Sequence, residues 1–216
     1  APREAAQPPR REDAPAERET LGLALAGGGA LGFAHLGVIA VLEEYGLSPE
    51  VVVGTSVGSV VGALYAGGYS PEEIIAITRS VDWNSLLFGR REREQLSYPE
   101  RRFDRLYRAR LRFSEGDVFL GSGASAAQPM VELLDELLRR YAVVDRFDAF
   151  PRSLAVVATD LVTGEEVVYT EGDVKSAVRA SMAVPGVFDP LYYRGRFLID
   201  GGWSNNVPVD VAFERG

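Results

Sequence analysis

Two apolar runs near the start of the chain are each interrupted by glycine and then resume with helical spacing. Residues 21–26 form a compact apolar stretch, Gly27-Gly28-Gly29-Ala30-Leu31-Gly32 follows it, and Leu36, Ile39, Ala40 and Leu42 then recur on one face up to Tyr45. That order predicts strand, glycine-rich turn, helix. Val51-Val52-Val53-Gly54-Thr55 is a short β-branched run, and a second helical stretch after it is closed by Gly67-Gly68. Ser70-Pro71-Glu72-Glu73 opens the next helix with a cap, a proline at the first helical position and first-turn acids. Along the whole chain the pattern predicts strands over 21–26, 51–55, 154–159, 166–169 and 196–199. It predicts helices over 32–45, 57–66, 71–80, 129–141 and 174–182. Strands alternating with helices predict an α/β sandwich on a mostly parallel sheet with right-handed crossovers.

Two stretches, 21–42 and 51–70, each run about 20 residues without Asp, Glu, Lys or Arg, and Gly54, Gly58 and Gly62 repeat the spacing of a membrane-helix dimer motif. Glycines cluster at a strand-to-helix break in each, and Glu43, Glu44 and Glu50 separate them in place of a basic loop. Strands covered by helices on both faces read as continuous apolar runs. The two stretches are therefore expected to form the core of the sandwich.

Residues 1–20 contain only Ala, Pro, Gln, Thr and charged residues, which cannot bury apolar surface to offset the entropy of ordering. A disordered lead-in is expected there, followed by one domain over 21–216. The Ala-Pro start fits a mature end left by signal-peptide cleavage, which slightly favours export, and it also fits a flexible cytosolic tail. The chain has 216 residues, 46% of them hydrophobic, enough for one domain that buries roughly 70% of its unfolded surface. There is no cysteine, so disulfides, thiolate metal sites and cysteine nucleophiles are excluded. A net charge of −8 argues against nucleic acid as a partner.

Gly54-Thr55-Ser56-Val57-Gly58 is a G-x-S-x-G sequence at a predicted strand-to-helix junction. In a nucleophile elbow the serine sits on a strained turn, and the flanking glycines let neighbouring backbone pass without a Cβ clash. The usual order of the partners is Ser, then Asp or Glu, then His. The only histidine, His35, lies upstream of Ser56. Either the elbow is an ordinary turn or its serine is activated by a carboxylate. The earlier turn, Gly28, Gly29 and Ala30 at a helix start, presents successive backbone N–H groups as an anion site suited to a tetrahedral oxyanion. Gly27, Gly29 and Gly32 also match the dinucleotide fingerprint G-x-G-x-x-G. That reading needs an acid at the end of the second strand, where Gly54-Thr55-Ser56 stands instead.

Gly27 to Gly32 before a helix, Gly54-Thr55-Ser56-Val57-Gly58 and Asp200-Gly201-Gly202 resemble the three motifs of the patatin-like phospholipases. Segments 158–164, 177–188 and 205–209 are also similar to that family, so the resemblance runs from about Leu21 to the C-terminus. It implies a Ser–Asp dyad on a three-layer α/β/α sandwich, with Ser56 as nucleophile, Asp200 as base and no histidine in the machinery. It further implies an oxyanion hole at Gly27, Gly28, Gly29 and Ala30, an elbow shaped by Gly54 and Gly58, and Gly201 and Gly202 as the glycines of the Asp motif. The implied activity is cleavage of carboxylic esters of phospholipids or related lipids, of phospholipase A or lysophospholipase type, through an acyl-enzyme, with no metal and no cofactor. The alternative is a catalytically silent lipid-binding or interaction module on the same fold.

Two departures stand out. Relatives often carry Arg or Lys where this chain has Leu31, and they usually continue with another strand after Asn205-Asn206-Val207-Pro208, which implies a truncated domain. Three bland readings stand beside the sharp ones: Asp200 as a cap of the Gly201-Gly202 turn, Asp160 as a rival base or a loop residue, and His35 in a structural role. In the middle of the chain, Trp83, Leu86, Leu87 and Phe88 form an apolar cluster. Arg101, Arg105, Arg108 and Arg112 would share one face if helical, either for a peripheral membrane surface or, the favoured reading, paired with Glu100, Asp104 and Glu115 in solvent. Homo-oligomerisation is left open.

Overall fold

The computed structural model describes residues 20–83, 110–114, 117–121 and 124–216, with side chains over 20–83 and 130–216. The lead-in before Thr20, the cluster Leu86, Leu87 and Phe88, and Arg101, Arg105 and Arg108 lie outside the described residues. Arg112 falls in strand β3 (Arg110–Ser114), which pairs antiparallel with β4 (Asp117–Gly121), so it does not extend a helical stripe. Leu111, Arg112, Phe113 and Ser114 alternate apolar with polar, and that period of two decides for strand.

The predicted alternation is otherwise the observed one. β1 (Gly22–Leu25) leads through a 3-10 turn, Gly29–Phe33, into α1 (Ala34–Glu44). β2 (Val51–Thr55) leads into α2 (Val57–Ala66), and α3 (Pro71–Ser80) carries the complete Ser70/Glu73 capping box. α4 (Ala124–Leu137) begins earlier than predicted. Its alanine-rich start favours helix ahead of Pro129, which the pattern had placed at the first turn. β5 (Ser153–Asp160), β6 (Glu166–Tyr169), α5 (Val174–Ser181), β7 (Leu191–Tyr193), β8 (Arg196–Asp200) and α6 (Val209–Arg215) complete the chain. The sequence pattern missed the β3–β4 pair, β7 and α6, of which β7 and α6 are too short to show a period. β7 and β8 form a hairpin whose turn residues Arg194 and Gly195 both take positive φ, 50° and 81°.

β5 is the axis of the sheet. β2 runs parallel along one of its edges, from Val51 opposite Ser153 to Thr55 opposite Val157, and β1 flanks β2 in parallel. β6 occupies the other edge, with Val156 opposite Tyr169 through Thr159 opposite Glu166. Val156 and Val157 therefore already have β2 on one side and β6 on the other. Ala158 and Thr159 keep β6 as one neighbour and take β8 as the second, with Asp200 opposite Ala158. It follows that β8 shares an edge of β5 with β2. It runs in the opposite direction, so the C-terminal ends of β2 and β8 face each other.

Period two sorts the buried side chains into two cores. Val52, Leu154, Val156 and Ala158 face a large cluster built with α1, α2, α4 and α5. Val51, Val53, Ala155 and Val157 face Val211 and Ala212 of α6. Helices thus cover both sheet faces, and the fold is the expected three-layer α/β/α sandwich, with a sheet parallel at β1, β2 and β5 and antiparallel around β6, β7 and β8. Among the described residues no helix is long and apolar enough to cross a membrane, and 21–42 and 51–70 are strand and helix as expected.

The site-bearing end of α2 depends on contact without side chains. A Cβ on Gly54 would overlap the backbone of Gly58 and Ser59, and one on Gly58 would overlap the carbonyls of Leu25 and Ala26. Because the obstacles are backbone, they cannot yield by changing rotamer. Gly58→Ala should destabilise the domain by about 1–3 kcal/mol, measured as a lower midpoint of thermal unfolding. An unchanged midpoint would show that α2 has room to move off β1.

Candidate active site

Ser56 stands between the last residue of β2 and the first of α2, with φ 54° and ψ −127°. A side-chain-bearing residue there stores about 1–3 kcal/mol of strain and persists only if its surroundings fix it. They fix it from several sides. Its N–H donates to Ser181 Oγ at 2.8 Å, and its carbonyl accepts from Ser59 N at 2.8 Å and from Ser59 Oγ at 2.6 Å. The preceding Thr55 is tied through its Oγ1, which donates to the Asn205 carbonyl at 2.9 Å.

Ser56 Oγ donates to Asp200 Oδ2 at 2.6 Å, and the other carboxylate oxygen, Oδ1, accepts from Gly202 N at 2.8 Å. The turn-capping and serine-pairing readings of Asp200 are thus both satisfied, one oxygen to each. Its backbone is held as well, since its N–H donates to the Ala183 carbonyl at 3.0 Å and its carbonyl accepts from Thr159 Oγ1 at 3.0 Å. Only 5% of Asp200 and 8% of Ser56 is exposed. Burial pushes the Asp200 carboxyl above its ordinary pKa, against the opposing pull of the Ser56 and Gly202 hydrogen bonds.

The glycine-rich turn lies against this pair: a Cβ on Gly27 would stand 3.0 Å from Ser56 Cβ. Here one expectation changes. The Gly27 N–H donates to the Asn206 carbonyl at 3.1 Å, so it is already committed and the candidate donors narrow to Gly28, Gly29 and Ala30. Those residues are exposed and open the Gly29–Phe33 turn, and their amides have no acceptor among the described residues, as a helix start requires. Leu31 is 83% exposed.

The rival residues are engaged elsewhere. His35 Nε2 lies 2.9 Å from the Ala26 carbonyl, which can only accept, so that nitrogen carries the proton and the ring braces β1 against α1. Asp160 Oδ1 accepts from Val162 N at 2.9 Å and from Thr163 N at 3.3 Å, and Oδ2 pairs with Arg196 Nη1 at 3.3 Å. These backbone hydrogen bonds, the Val162 one first, hold its pKa below the ordinary range, as suits a carboxylate that caps the turn leaving β5 and not a base. Among the described residues no group of three or more His, Asp or Glu could hold a metal ion. Sequence reasoning missed Ser181, Ala183 and the carbonyls of Asn205 and Asn206. Backbone acceptors leave no residue-type signal, and Ser181 was visible only as one member of a family-like segment.

A model of the patatin-like phospholipase family matches residues 23–213. The chain belongs to that family. A patatin-like phospholipase domain-containing protein of Caenorhabditis elegans is 32% identical over 91% of this chain, and lysophospholipase NTE1 of Kluyveromyces lactis is 30% identical over 92%. The chain spans only 13% and 12% of the length of those two relatives. Among solved structures, VipD from Legionella pneumophila superposes with a TM-score of 0.56 at 20% identity, covering 88% of this chain and 47% of its own, which identifies a shared fold.

Raising the pKa of Asp200 also sets a pH dependence of stability. The folded state holds the Asp200 proton more tightly than the unfolded chain does, so the favourable contribution is complete below the unfolded pKa and is lost as pH rises through the raised folded value. Asn, neutral throughout, avoids that loss. In urea denaturation Asp200→Asn should gain stability relative to the parent chain between acid and neutral pH. A difference independent of pH would contradict the buried-carboxylate account.

Proposed function

We propose that the chain is a lipid acyl hydrolase, of phospholipase A or lysophospholipase type, that works through a Ser56–Asp200 dyad. The observation that carries the proposal is the 2.6 Å hydrogen bond from Ser56 Oγ to a buried carboxylate, made at a strained elbow beside backbone N–H groups that have no acceptor among the described residues. Membership of the patatin-like phospholipase family supports a hydrolase acting on lipid.

In the proposed reaction Ser56 Oγ attacks the ester carbonyl carbon while its proton passes to Asp200 Oδ2. A carboxylate with a raised pKa is the stronger base for this step, and the Gly202 hydrogen bond to Oδ1 keeps Oδ2 directed at the serine. The amides of Gly28, Gly29 and Ala30 receive the negative charge that forms on the carbonyl oxygen. Collapse of the tetrahedral intermediate breaks the bond to the alcohol, and Asp200 returns the proton to that leaving oxygen. Water then attacks the acyl-Ser56 carbonyl with Asp200 taking its proton, and as the bond to Ser56 Oγ breaks Asp200 returns that proton to Oγ, releasing the carboxylic acid and restoring the starting pair.

A fluorophosphonate should label Ser56, and Ser56→Ala should abolish both labelling and ester hydrolysis with the fold retained. Asp200→Asn should lose at least about 100-fold in kcat/KM, since its amide cannot accept the proton, whereas His35→Gln should keep most activity and the same acid limb. That limb should lie above the ordinary aspartate range, because the folded carboxyl binds its proton more tightly. An active Asp200→Asn beside an inactive but folded His35→Gln would overturn the dyad. A parent chain that never labels would point to the silent lipid-binding module. Hydrolysis of a soluble ester should also be indifferent to EDTA, and loss restored by calcium would contradict the metal-free mechanism.

A further inference from the structure

Segment 177–188 closes α5 and has no role in the chemistry above, yet it supports both halves of the Ser56–Asp200 pair. The Ser56 amide donates to Ser181 Oγ at 2.8 Å, and two residues later the Ala183 carbonyl accepts the Asp200 amide at 3.0 Å. Among the described residues no other segment accepts hydrogen bonds from the backbone amides of both. Ser181 is fully buried, and its Oγ lies 2.5 Å from the Val157 carbonyl. A carbonyl can only accept, so the single hydroxyl proton of Ser181 goes to Val157 and a lone pair is left directed at the Ser56 N–H. Val157 is also the residue opposite Thr55 in the sheet, so the hydroxyl is anchored to the strand that carries the elbow's own register.

We propose that Ser181 is a positioning residue for the Ser56–Asp200 pair. Its hydroxyl, oriented by Val157, holds the Ser56 amide in the strained conformation that brings Oγ onto Asp200 Oδ2. The inference rests on the acyl hydrolase reading for its effect on turnover and on geometry alone for its effect on the Ser56 amide. Without that acceptor a buried N–H has no partner at the one residue whose backbone is already strained, and the Thr55–Ser56 peptide relaxes by turning away. The serine oxygen then leaves its line to the carboxylate, while the residues that would bind substrate stay in place.

The test uses the full chain with Ser181→Ala, Ser181→Cys and Ser181→Thr, a soluble ester, a fluorophosphonate probe and amide hydrogen exchange at Ser56. Ser181→Ala should lower kcat by about 100-fold, the scale of a small misplacement of a reacting group. KM should stay within about two-fold, because a positioning defect spares ground-state binding. Labelling of Ser56 should slow in parallel, and Ser56 amide protection should fall. Ser181→Thr, which keeps the hydroxyl, should restore most of kcat and the protection, while Ser181→Cys, a weak acceptor, should resemble alanine. A folded Ser181→Ala with parental kcat and protection overturns the proposal, as does Ser181→Thr that folds but is as impaired as alanine. If the alanine variant fails to fold, equal kcat and protection in the Cys and Thr variants overturn it. If the parent neither hydrolyses nor labels, the hydrolase reading falls, and unchanged Ser56 protection in Ser181→Ala separately rejects the brace.

Discussion

The structure depends on two strands that meet end to end. β2 and β8 approach from opposite directions along one edge of β5, and their last residues, Thr55 and Asp200, stand opposite Val157 and Ala158, consecutive positions on that strand. Backbone pairing brings the residues that follow or end these strands within reach of each other, and the hydrogen bonds around them decide how their side chains meet. Gly201 is part of the same constraint, since a Cβ there would overlap the Val157 carbonyl. Sheet register thus sets where Ser56 and Asp200 meet, and the hydrogen bonds from Ser56 N to Ser181 and from Gly202 N to Asp200 set how they meet.

Burial gives that meeting its chemical character. A carboxylate in water would be a weak base with an ordinary pKa, and a serine hydroxyl beside it would gain little. Removal from solvent raises the cost of charge on Asp200, and among the described residues two hydrogen bonds to its carboxyl oppose that cost, one from Ser56 and one from Gly202. The conformational strain at Ser56 and the desolvation at Asp200 are two local departures from minimum energy on neighbouring residues, held by cores on both faces of the sheet.

Much of this was legible in the chain. Strand, glycine and helix at residues 21–45 and 51–66 have strong periods, and Gly54, Ser56 and Gly58 could be assigned to an elbow because each residue type has a steric reason to be there. Asp200 was legible as the partner of Ser56 only through the resemblance of Asp200-Gly201-Gly202 to a family motif, since from the residues alone it read equally as the cap of a Gly-Gly turn. What escaped was carried by groups that all residues share: the Asn206 carbonyl that takes up the Gly27 amide, and the Ala183 carbonyl under Asp200. β7 and α6 escaped for another reason, since elements of three and seven residues are stabilised by what they pack on and not by their own pattern. The end-to-end arrangement of β2 and β8 was likewise invisible, because each strand looks the same whichever edge it takes.

Ser56 and Asp200 lie 144 positions apart in the chain, so their contact depends on long-range pairing. β2 and β8 do not pair with each other: β2 lies along β5 from Val51 opposite Ser153 to Thr55 opposite Val157, and β8 reaches the same strand with Asp200 opposite Ala158, so within the sheet elbow and carboxylate are joined only through β5. Until both strands lie on β5, Ser56 Oγ has no Asp200 carboxylate to donate to. The Ser56–Asp200 hydrogen bond is therefore a contact that only the completed β2, β5 and β8 unit can make, and its presence reports that all three strands have found their register.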